Sequence, residues 1–180
     1  MITIISGTNR RNSKTLHFAR HYEQVLKQHT EAPIHFLDLA DLPADAFNAD
    51  MYSPEGQHPE MARIQDEWLV PSQKMVYIFP EYNGGVPGAL KFFIDAVSIR
   101  DRDSVFRNKK ALLTGVAAGR SGNLRGLDHM TNMLNYLGTT ILPNKVPISS
   151  IGSLLHPDGE IHDEGTRAVI AKQVEQFMAF

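Results

Sequence analysis

Residues 75–88 read MVYIFPEYNGGVPG and contain the most specific pattern in the chain. Its first five residues are all apolar, which is typical of a strand that is buried on both faces of a parallel sheet. The nine residues that follow are rich in glycine and proline and predict a loop. Beyond the loop, apolar side chains recur at three- and four-residue steps, as in an amphipathic helix: Leu90, Phe93, Ile94 and Val97. The stretch therefore predicts the strand, loop and helix of an α/β protein.

The same alternation of short apolar runs and longer amphipathic runs extends through the chain. Strands are predicted at residues 2–5, 34–39, 75–79, 111–118 and 140–142. Helices are predicted at 13–28, around 61–68, after residue 88, around 127–137 and at 164–178. Residues 42–59 form an unusually long connection, and residues 100–110 form a charged link. Five strands that alternate with five helices predict a parallel sheet covered by helices on both faces.

Composition narrows the class of protein and its location. With 180 residues, of which 42% are hydrophobic and 21% charged, the chain has the size and composition of one globular domain. Eighteen basic and 20 acidic side chains leave a net charge of −2, which favours neither nucleic acid nor an anionic membrane as a partner. No apolar run is long enough to span a membrane. Because the chain has no cysteine, it has no disulfide or thiol nucleophile, and the expected location is the cytoplasm.

Three segments rich in glycine and small polar residues follow predicted strands. They are residues 7–15 after the first strand, 80–88 after the third and 115–125 after the fourth. In an open parallel sheet, ligands bind beyond the carboxyl ends of the strands. We therefore expect these three loops to form the functional site.

The first loop has the side chains of an anion site. Hydroxyl groups at Thr8, Ser13 and Thr15 lie near Arg10 and the start of a predicted helix, where they can bind a phosphate. The spacing excludes a Walker A loop, because Asn12 stands where that motif requires its second glycine. It also excludes the G-x-G-x-x-G dinucleotide fingerprint. The alternative is that Ser13 only caps the helix while the arginines remain in solvent.

The second loop predicts a site for a flat ligand. Tyr82 and Asn83 follow the buried strand directly, and the glycines after them let the backbone approach a planar heterocycle. The alternative is an ordinary turn between a strand and a helix, since Asn-Gly and Pro-Gly are common turn dipeptides.

These residues resemble the NAD(P)H-dependent FMN reductase family. The resemblance lies first in residues 79–91, FPEYNGGVPGALK, and continues to Ile94-Asp95. Ser6-Gly7-Thr8, with Arg10 and Ser13, is similar to the family's phosphate loop. Gly119, Gly122 and Arg125 resemble its third loop, so that the similarity runs from the first strand to the fourth helix.

The resemblance implies a single flavodoxin-like FMN-binding domain over residues 1–180, a three-layer sandwich with a five-stranded parallel sheet in the order 2-1-3-4-5. The implied phosphate ligands of FMN are Thr8, Arg10, Ser13 and Thr15. The implied ring contacts are Pro80, Glu81, Tyr82, Asn83 and Gly84, with Ala117 and Gly119 at the other edge. In such enzymes, hydride passes from NADPH or NADH to the flavin N5, and electrons then pass to a flavin, quinone, azo compound or metal oxyanion. This chemistry requires no catalytic side chain of the protein.

The chain departs from the family pattern at several positions. Thr15 stands where asparagine is common, Gly85 where serine is usual, and Phe92 where asparagine often follows the lysine. Ala117 replaces a frequent serine, and Asn123 replaces the second glycine of a pair. We expect the cofactor to be retained. The changes at Phe92, Ala117 and Asn123 affect how the flavin edge and the nicotinamide are held.

The remaining patterns are less informative. His17 and His21 are spaced as metal ligands on a helix, but no third ligand accompanies them, and residues 156–164 lack the order of a calcium loop.

The apolar surface that Phe92 adds, together with the family resemblance, predicts a homodimer or homotetramer. Two alternatives to the reductase are a flavodoxin-like electron carrier and a non-catalytic flavin-binding module. The small net charge disfavours the carrier, since such proteins are usually strongly acidic.

Overall fold

The computed structural model describes residues 1–180, apart from the side chain of Pro54. Its sheet contains six strands: β1 (Ile2–Ser6), β2 (Ile34–Asp38), β3 (Lys74–Pro80), β4 (Lys110–Val116), β5 (Thr140–Ile141) and β6 (Val146–Ile148). The strand order is β2-β1-β3-β4-β5, with β6 also pairing with β4, and every pair is parallel. This confirms the predicted sheet order, and the strands β1, β3 and β4 are almost entirely buried, as their apolar sequences predict.

Six α-helices cover the two faces of the sheet. They are α1 (Lys14–Lys27), α2 (Pro59–Ile64), α3 (Gly88–Ile99), α4 (Arg102–Phe106), α5 (Leu124–Tyr136) and α6 (Glu164–Ala179). Two hydrophobic clusters fill the space between helices and sheet. One contains buried side chains of α2, α3 and α5, and the other contains those of α1 and α6. The result is the predicted sandwich of three layers. Among the described residues, no helix is long and apolar enough to cross a bilayer.

The structure departs from the predicted elements at two places. The fifth strand is broken: β5 pairs with the start of β4 at Lys110–Ala111, and β6 pairs with its end at Thr114–Val116. The intervening residues include Pro143, which has no amide hydrogen to donate to the ladder. The charged link contains α4, because the Asp101 side chain accepts a hydrogen bond from the amide of Ser104 and caps a short helix.

The long connection after β2 is folded into four short 3₁₀ turns, at Leu39–Asp41, Ala44–Ala46, Ala49–Tyr52 and Pro54–Gly56. Its far end is fixed by Gln57, which is buried. The Gln57 side-chain amide donates to the Gln65 side chain at 2.6 Å and to the carbonyl of Ala96 in α3 at 3.1 Å. Arg100 donates in turn to the Gln57 oxygen at 2.9 Å. Hydrogen bonds therefore hold the far end of the connection against α3.

A buried polar cluster joins α1 and α6 to the middle of the sheet. The Tyr22 hydroxyl lies 2.5 Å from the Gln173 side-chain oxygen and 2.7 Å from the Thr114 hydroxyl in β4. The Gln173 amide donates to the carbonyls of Leu113 and Asn144. Because burial disfavours the phenolate, the pKa of Tyr22 is raised, and the tyrosine stays a neutral hydrogen-bonding group. The cluster fixes α6 against β4 with its polar side chains satisfied.

Candidate functional site

Backbone hydrogen bonds join neighbouring strands at the carboxyl edge of the sheet, where the loops begin. The Gly7 amide donates to the carbonyl of Ile78 at 2.8 Å, and the Glu81 amide donates to that of Val116 at 3.1 Å. On the far side, the Ala117 amide donates to the carbonyl of Ile148 in β6 at 2.9 Å. The ends of four strands are thus joined across the edge, and the loops that follow them surround one region.

A cavity of about 340 Å³ opens in this region. Six of the eleven predicted site residues line it: Arg10, Ser13, Thr15, Pro80, Tyr82 and Ala117. Five further residues line it that were not named individually: Asn12, Lys14, Val116 and Ala118 belong to the predicted loops, and Ile151 lies outside them. The other predicted residues stand around the cavity and shape the loops that form it.

The first loop presents an electropositive end to the cavity. Ser13 caps α1, and its hydroxyl oxygen accepts from the amide of Thr15 at 3.3 Å. Asn12 adopts a left-handed conformation with φ of 56°, which turns the chain into the helix. Among the described residues, no acceptor is found for the amides of Asn12 and Lys14. Free amides at a helix N-terminus beside Arg10 and Lys14 can bind an anion.

Thr8 lies behind the cavity wall rather than in it. Its side chain is fully buried, and its hydroxyl lies 2.8 Å from the Tyr82 hydroxyl. The Thr8 oxygen also accepts from the amide of Arg10 at 3.2 Å. Thr8 therefore joins the first loop to the second, and Tyr82 reaches the cavity with its hydroxyl already engaged.

The second loop contains a tight two-residue turn. Asn83 and Gly84 both have positive φ, 51° and 75°, and Tyr82 and Gly85 exchange two backbone hydrogen bonds of 3.1 Å. This is the geometry of a type I′ turn, for which Asn-Gly is the preferred sequence. Asn83 and Gly84 therefore lie at the tip of a turn, as the alternative for this segment describes, and their contact with a ring stays a prediction. Pro80 and Tyr82 still reach the cavity beside them.

The third loop forms hydrogen bonds with the second loop and with the segment after β6. The Ser121 hydroxyl lies 2.9 Å from a carboxylate oxygen of Glu81, which links the second and third loops near the surface. The Gly119 carbonyl accepts from the amide of Ser150 at 3.1 Å. A side chain at Gly119 would meet open space, so this glycine faces away from close contacts.

Ile151 belongs to a fourth loop that sequence reasoning missed. It follows β6, a strand of only three residues in which Val146 and Ile148 are buried and Pro147 is exposed. The Ile151 amide donates to the carbonyl of Ala117 at 3.2 Å, which places its side chain at the cavity. The alternation Val-Pro-Ile was the available signal, but three residues are too few to distinguish a strand from a loop.

The lining of the cavity has two parts. The first loop and the start of α1 contribute Arg10 and Lys14, which are cationic, while the segments at the ends of β4 and β6 contribute Val116, Ala117, Ala118 and Ile151, which are apolar. Such a site suits a ligand that carries an anionic group and an extended apolar body. Among the described residues, no three His, Cys, Asp or Glu side chains come together as a metal site requires.

Known proteins with similar sequences and folds are reductases. An NAD(P)H-dependent FMN reductase of Pseudomonas aeruginosa is 29% identical over 143 residues, which covers 79% of this chain and 75% of that protein. A quinone reductase of Escherichia coli K12 is 30% identical over 145 residues, covering 79% of this chain and 74% of the relative. Among solved structures, the NAD(P)H:acceptor oxidoreductase FerB of Paracoccus denitrificans superposes with a TM-score of 0.76 at 24% identity, covering 99% of this chain and 94% of FerB.

The family profile described as NADPH-dependent FMN reductase matches residues 1–152, which include every loop of the cavity. The match includes the first loop at Gly7–Thr15, the second at Pro80–Gly88 and the third at Gly115–Arg125. This chain belongs to the NADPH-dependent FMN reductase family.

Proposed function

We propose that the chain binds FMN in the cavity at the carboxyl edge of the sheet and acts as an NAD(P)H-dependent oxidoreductase. The observation that carries this proposal is the polarity of that cavity. Its cationic side chains, Arg10 and Lys14, come from the first loop and the start of α1, and its apolar side chains come from the segments at the ends of β3, β4 and β6. FMN has a matching division between a phosphate and a flat, largely apolar ring.

The residues present fit the phosphate of FMN at the first loop. The amides of Asn12 and Lys14 are free of acceptors in the described part of the chain, and they stand at the positive end of the α1 dipole. Arg10, Ser13 and Thr15 line the same end of the cavity and supply a guanidinium and two hydroxyls. Thr8 acts indirectly, since its hydroxyl is occupied by Tyr82 and Arg10.

The residues also fit a planar ring at the other end. Pro80, Tyr82 and Ala117 line it with side chains that are apolar or present a ring, and Ile151 adds an apolar contact. Glu81, Asn83, Gly84 and Gly119 shape the backbone around this end rather than its lining. Residues 1–180 form on this account a single FMN-binding domain.

The protein's part in the reaction is to bind and orient. When bound, FMN would supply the chemistry of hydride and electron transfer between a nicotinamide and an acceptor. Arg10 and the α1 amides would hold the phosphate, and Pro80, Tyr82 and Ala117 would orient the ring. Backbone amides of the second and third loops would stabilise negative charge near the ring, and no side chain is needed to move a proton. The proposed acceptor is a small flavin, quinone or azo compound.

We further propose that two copies associate through the face formed by α3 and α5. A groove of about 500 Å³ runs between these helices and is larger than the cavity at the sheet edge. Its lining mixes Ile94, Met133 and Leu137 with the Lys91–Asp95 ion pair, which suits a protein contact better than a redox cofactor. Tyr136 at its edge is 83% exposed, and Phe92 on α3 is 48% exposed. Tyr136→Asp should convert a dimer to monomers in sedimentation.

Oxidation of NADPH and NADH in the presence of a simple quinone tests the activity. The proposal predicts turnover that requires bound FMN and that rises when the quinone is added. Bound FMN without nicotinamide oxidation would instead indicate an electron carrier or a flavin-binding module. The electron donor that gives the higher kcat/KM identifies the preferred nicotinamide.

A further inference from the structure

Asn123 occupies the point at which the third loop turns into α5, and its side chain is fully buried. The family pattern has a glycine there, and the structure explains the need for it. Asn123 adopts φ of 66° and ψ of 34°, the left-handed conformation that glycine enters freely and asparagine tolerates best among the other residues. Unlike glycine, asparagine also brings a side-chain donor and acceptor into this buried position.

Both polar atoms of that side chain are used. The Asn123 oxygen accepts from the amide of Gly126 at 3.1 Å, which caps the N-terminus of α5. The Asn123 amide nitrogen donates to the backbone carbonyl of Phe79 at 3.1 Å, across 44 residues of sequence. One side chain therefore holds the start of α5 and the end of β3 together.

The hydrogen bond from Asn123 reaches the chain immediately before the second loop. Phe79 directly precedes Pro80, which lines the cavity and has no amide hydrogen with which to bond a neighbouring strand. Beyond Pro80, the Glu81 amide is bonded to the carbonyl of Val116. Asn123 and Val116 thus hold the chain on either side of the proline, just where it becomes the second loop.

Two glycines provide the room for this arrangement. A Cβ atom at Gly126 would lie 2.0 Å from the Asn123 side-chain oxygen. A Cβ atom at Gly115, in β4, would lie 2.8 Å from the Cβ of Asn123 and 2.7 Å from the carbonyl oxygen of Gly122. The third loop therefore folds back directly onto β4 and β3, and the close approach depends on both glycines.

We propose that Asn123 is a positioning residue for the flavin ring, because it couples the second loop to the third through the Phe79 carbonyl. This inference rests on the proposed function, and it goes beyond it by assigning a role to a side chain that does not line the cavity. Asn123 sets the relative position of Pro80 and Tyr82 on one side and Ala117 on the other. The residues proposed to hold the phosphate, at the start of α1, form no hydrogen bond with Asn123.

The test compares flavin affinities of purified variants by fluorescence quenching, with FMN and with riboflavin, which lacks the phosphate. Asn123→Gly keeps the left-handed backbone and removes both hydrogen bonds. Asn123→Asp keeps the acceptor for Gly126 and replaces the donor to Phe79 by an oxygen. Ser121→Ala is the matched control, because it removes only the exposed link to Glu81.

We expect Asn123→Gly and Asn123→Asp each to weaken FMN and riboflavin by the same factor, about tenfold, as for the loss of a buried hydrogen bond. The ratio of the two Kd values should stay at its wild-type value, since the phosphate end is unchanged. Ser121→Ala should shift both Kd values less than threefold, because exposed polar contacts contribute little. Wild-type affinity in both Asn123→Gly and Asn123→Asp would show that neither hydrogen bond of this side chain positions the ring and would overturn the proposal.

Hydrogen exchange of the flavin-free protein provides a readout that does not depend on binding. The amide of Glu81 should exchange faster in Asn123→Asp than in the wild type, while that of Gly7, bonded to Ile78 at the other side of β3, should keep its rate. Equal rates at Glu81 in the two proteins would overturn the coupling. A wild-type protein that binds no FMN would overturn the proposed function, and the exchange rates would still decide whether Asn123 couples the loops.

Discussion

The hydroxyl groups of Thr8 and Tyr82 lie 2.8 Å apart and join the first loop of the site to the second across 74 residues of sequence. Thr8 is fully buried, and its oxygen also accepts from the Arg10 amide. The pair therefore connects the loop proposed to hold the phosphate with the loop proposed to hold the ring.

Removal of this pair should weaken FMN binding cooperatively. Thr8→Val and Tyr82→Phe should each weaken FMN several-fold, because a hydrogen bond of this kind contributes about 1 kcal/mol. The double variant should be little worse than Thr8→Val alone, since Tyr82→Phe removes a contact that Thr8→Val has already removed. Isothermal titration of the four proteins gives the coupling energy, and strictly additive losses would show that the two hydroxyls act separately.

Arg10 should distinguish FMN from riboflavin. Arg10→Ala should weaken FMN by roughly 10- to 100-fold, the range expected for a charge-assisted hydrogen bond, and should leave riboflavin almost unchanged. Arg11→Ala is the matched control, because Arg11 lines a neighbouring groove with Asp38 and Asp41 instead of the cavity. Equal losses for FMN and riboflavin in Arg10→Ala would contradict the assignment of the phosphate end.

The buried cluster around Gln173 should stabilise the fold without affecting the site. Gln173→Leu removes the donor to the Leu113 and Asn144 carbonyls and should lower the free energy of unfolding by about 1–3 kcal/mol. Gln176→Leu, on the exposed side of the same helix, should change it by less than about 0.5 kcal/mol. Urea titration measures both values. Comparable losses in the two variants would mean that helix α6 is not held by the cluster.

Stability should fall as the pH is lowered below neutrality. Burial lowers the pKa of His35 from its usual value of 6.5, and burial followed by the charge of Arg167 lowers that of His21. The unfolded chain therefore binds protons at these positions before the folded protein does, and the free energy of unfolding decreases as the pH falls through 6.5 towards the lowered values. Above that range both states are neutral, so the two groups contribute no pH dependence.

His35→Phe tests the first of these groups. Phenylalanine can keep the stack that His35 forms with Trp68, whose ring centroid lies 5.1 Å away at an angle of 9°. The variant should show a shallower loss of stability between about pH 7 and about pH 5 in thermal unfolding. A slope equal to that of the wild type would show that His35 is not a source of the pH dependence.

The layout of the fold follows from local patterns in the sequence. The apolar run at residues 75–79 and the glycine-rich segment after it are sufficient to predict a buried strand and a loop at the sheet edge, and the structure confirms both. The strand β6 was missed because three residues provide too little periodicity, and Ile151 was missed with it.

Finer features of the site depend on contacts between distant residues. The sequence indicates Thr8 as a hydroxyl near an anion, but its burial against Tyr82 is set by how two loops meet in the folded chain. Asn123 appears in the sequence only as a departure from a glycine pattern. Its cap and its bond to Phe79 become visible once Gly115 and Gly126 are seen to leave room for it. Predictions of this kind require tertiary packing, which single-sequence patterns do not contain.

Binding of FMN and its reduction by a nicotinamide can be observed in one experiment. An absorbance spectrum of the purified protein is taken after incubation with FMN and desalting, and then during anaerobic addition of NADPH or NADH. We predict flavin absorbance that remains with the protein and bleaches on addition of at least one of the two nucleotides. A protein that retains no flavin, or retains flavin that neither nucleotide bleaches, would contradict the proposed function.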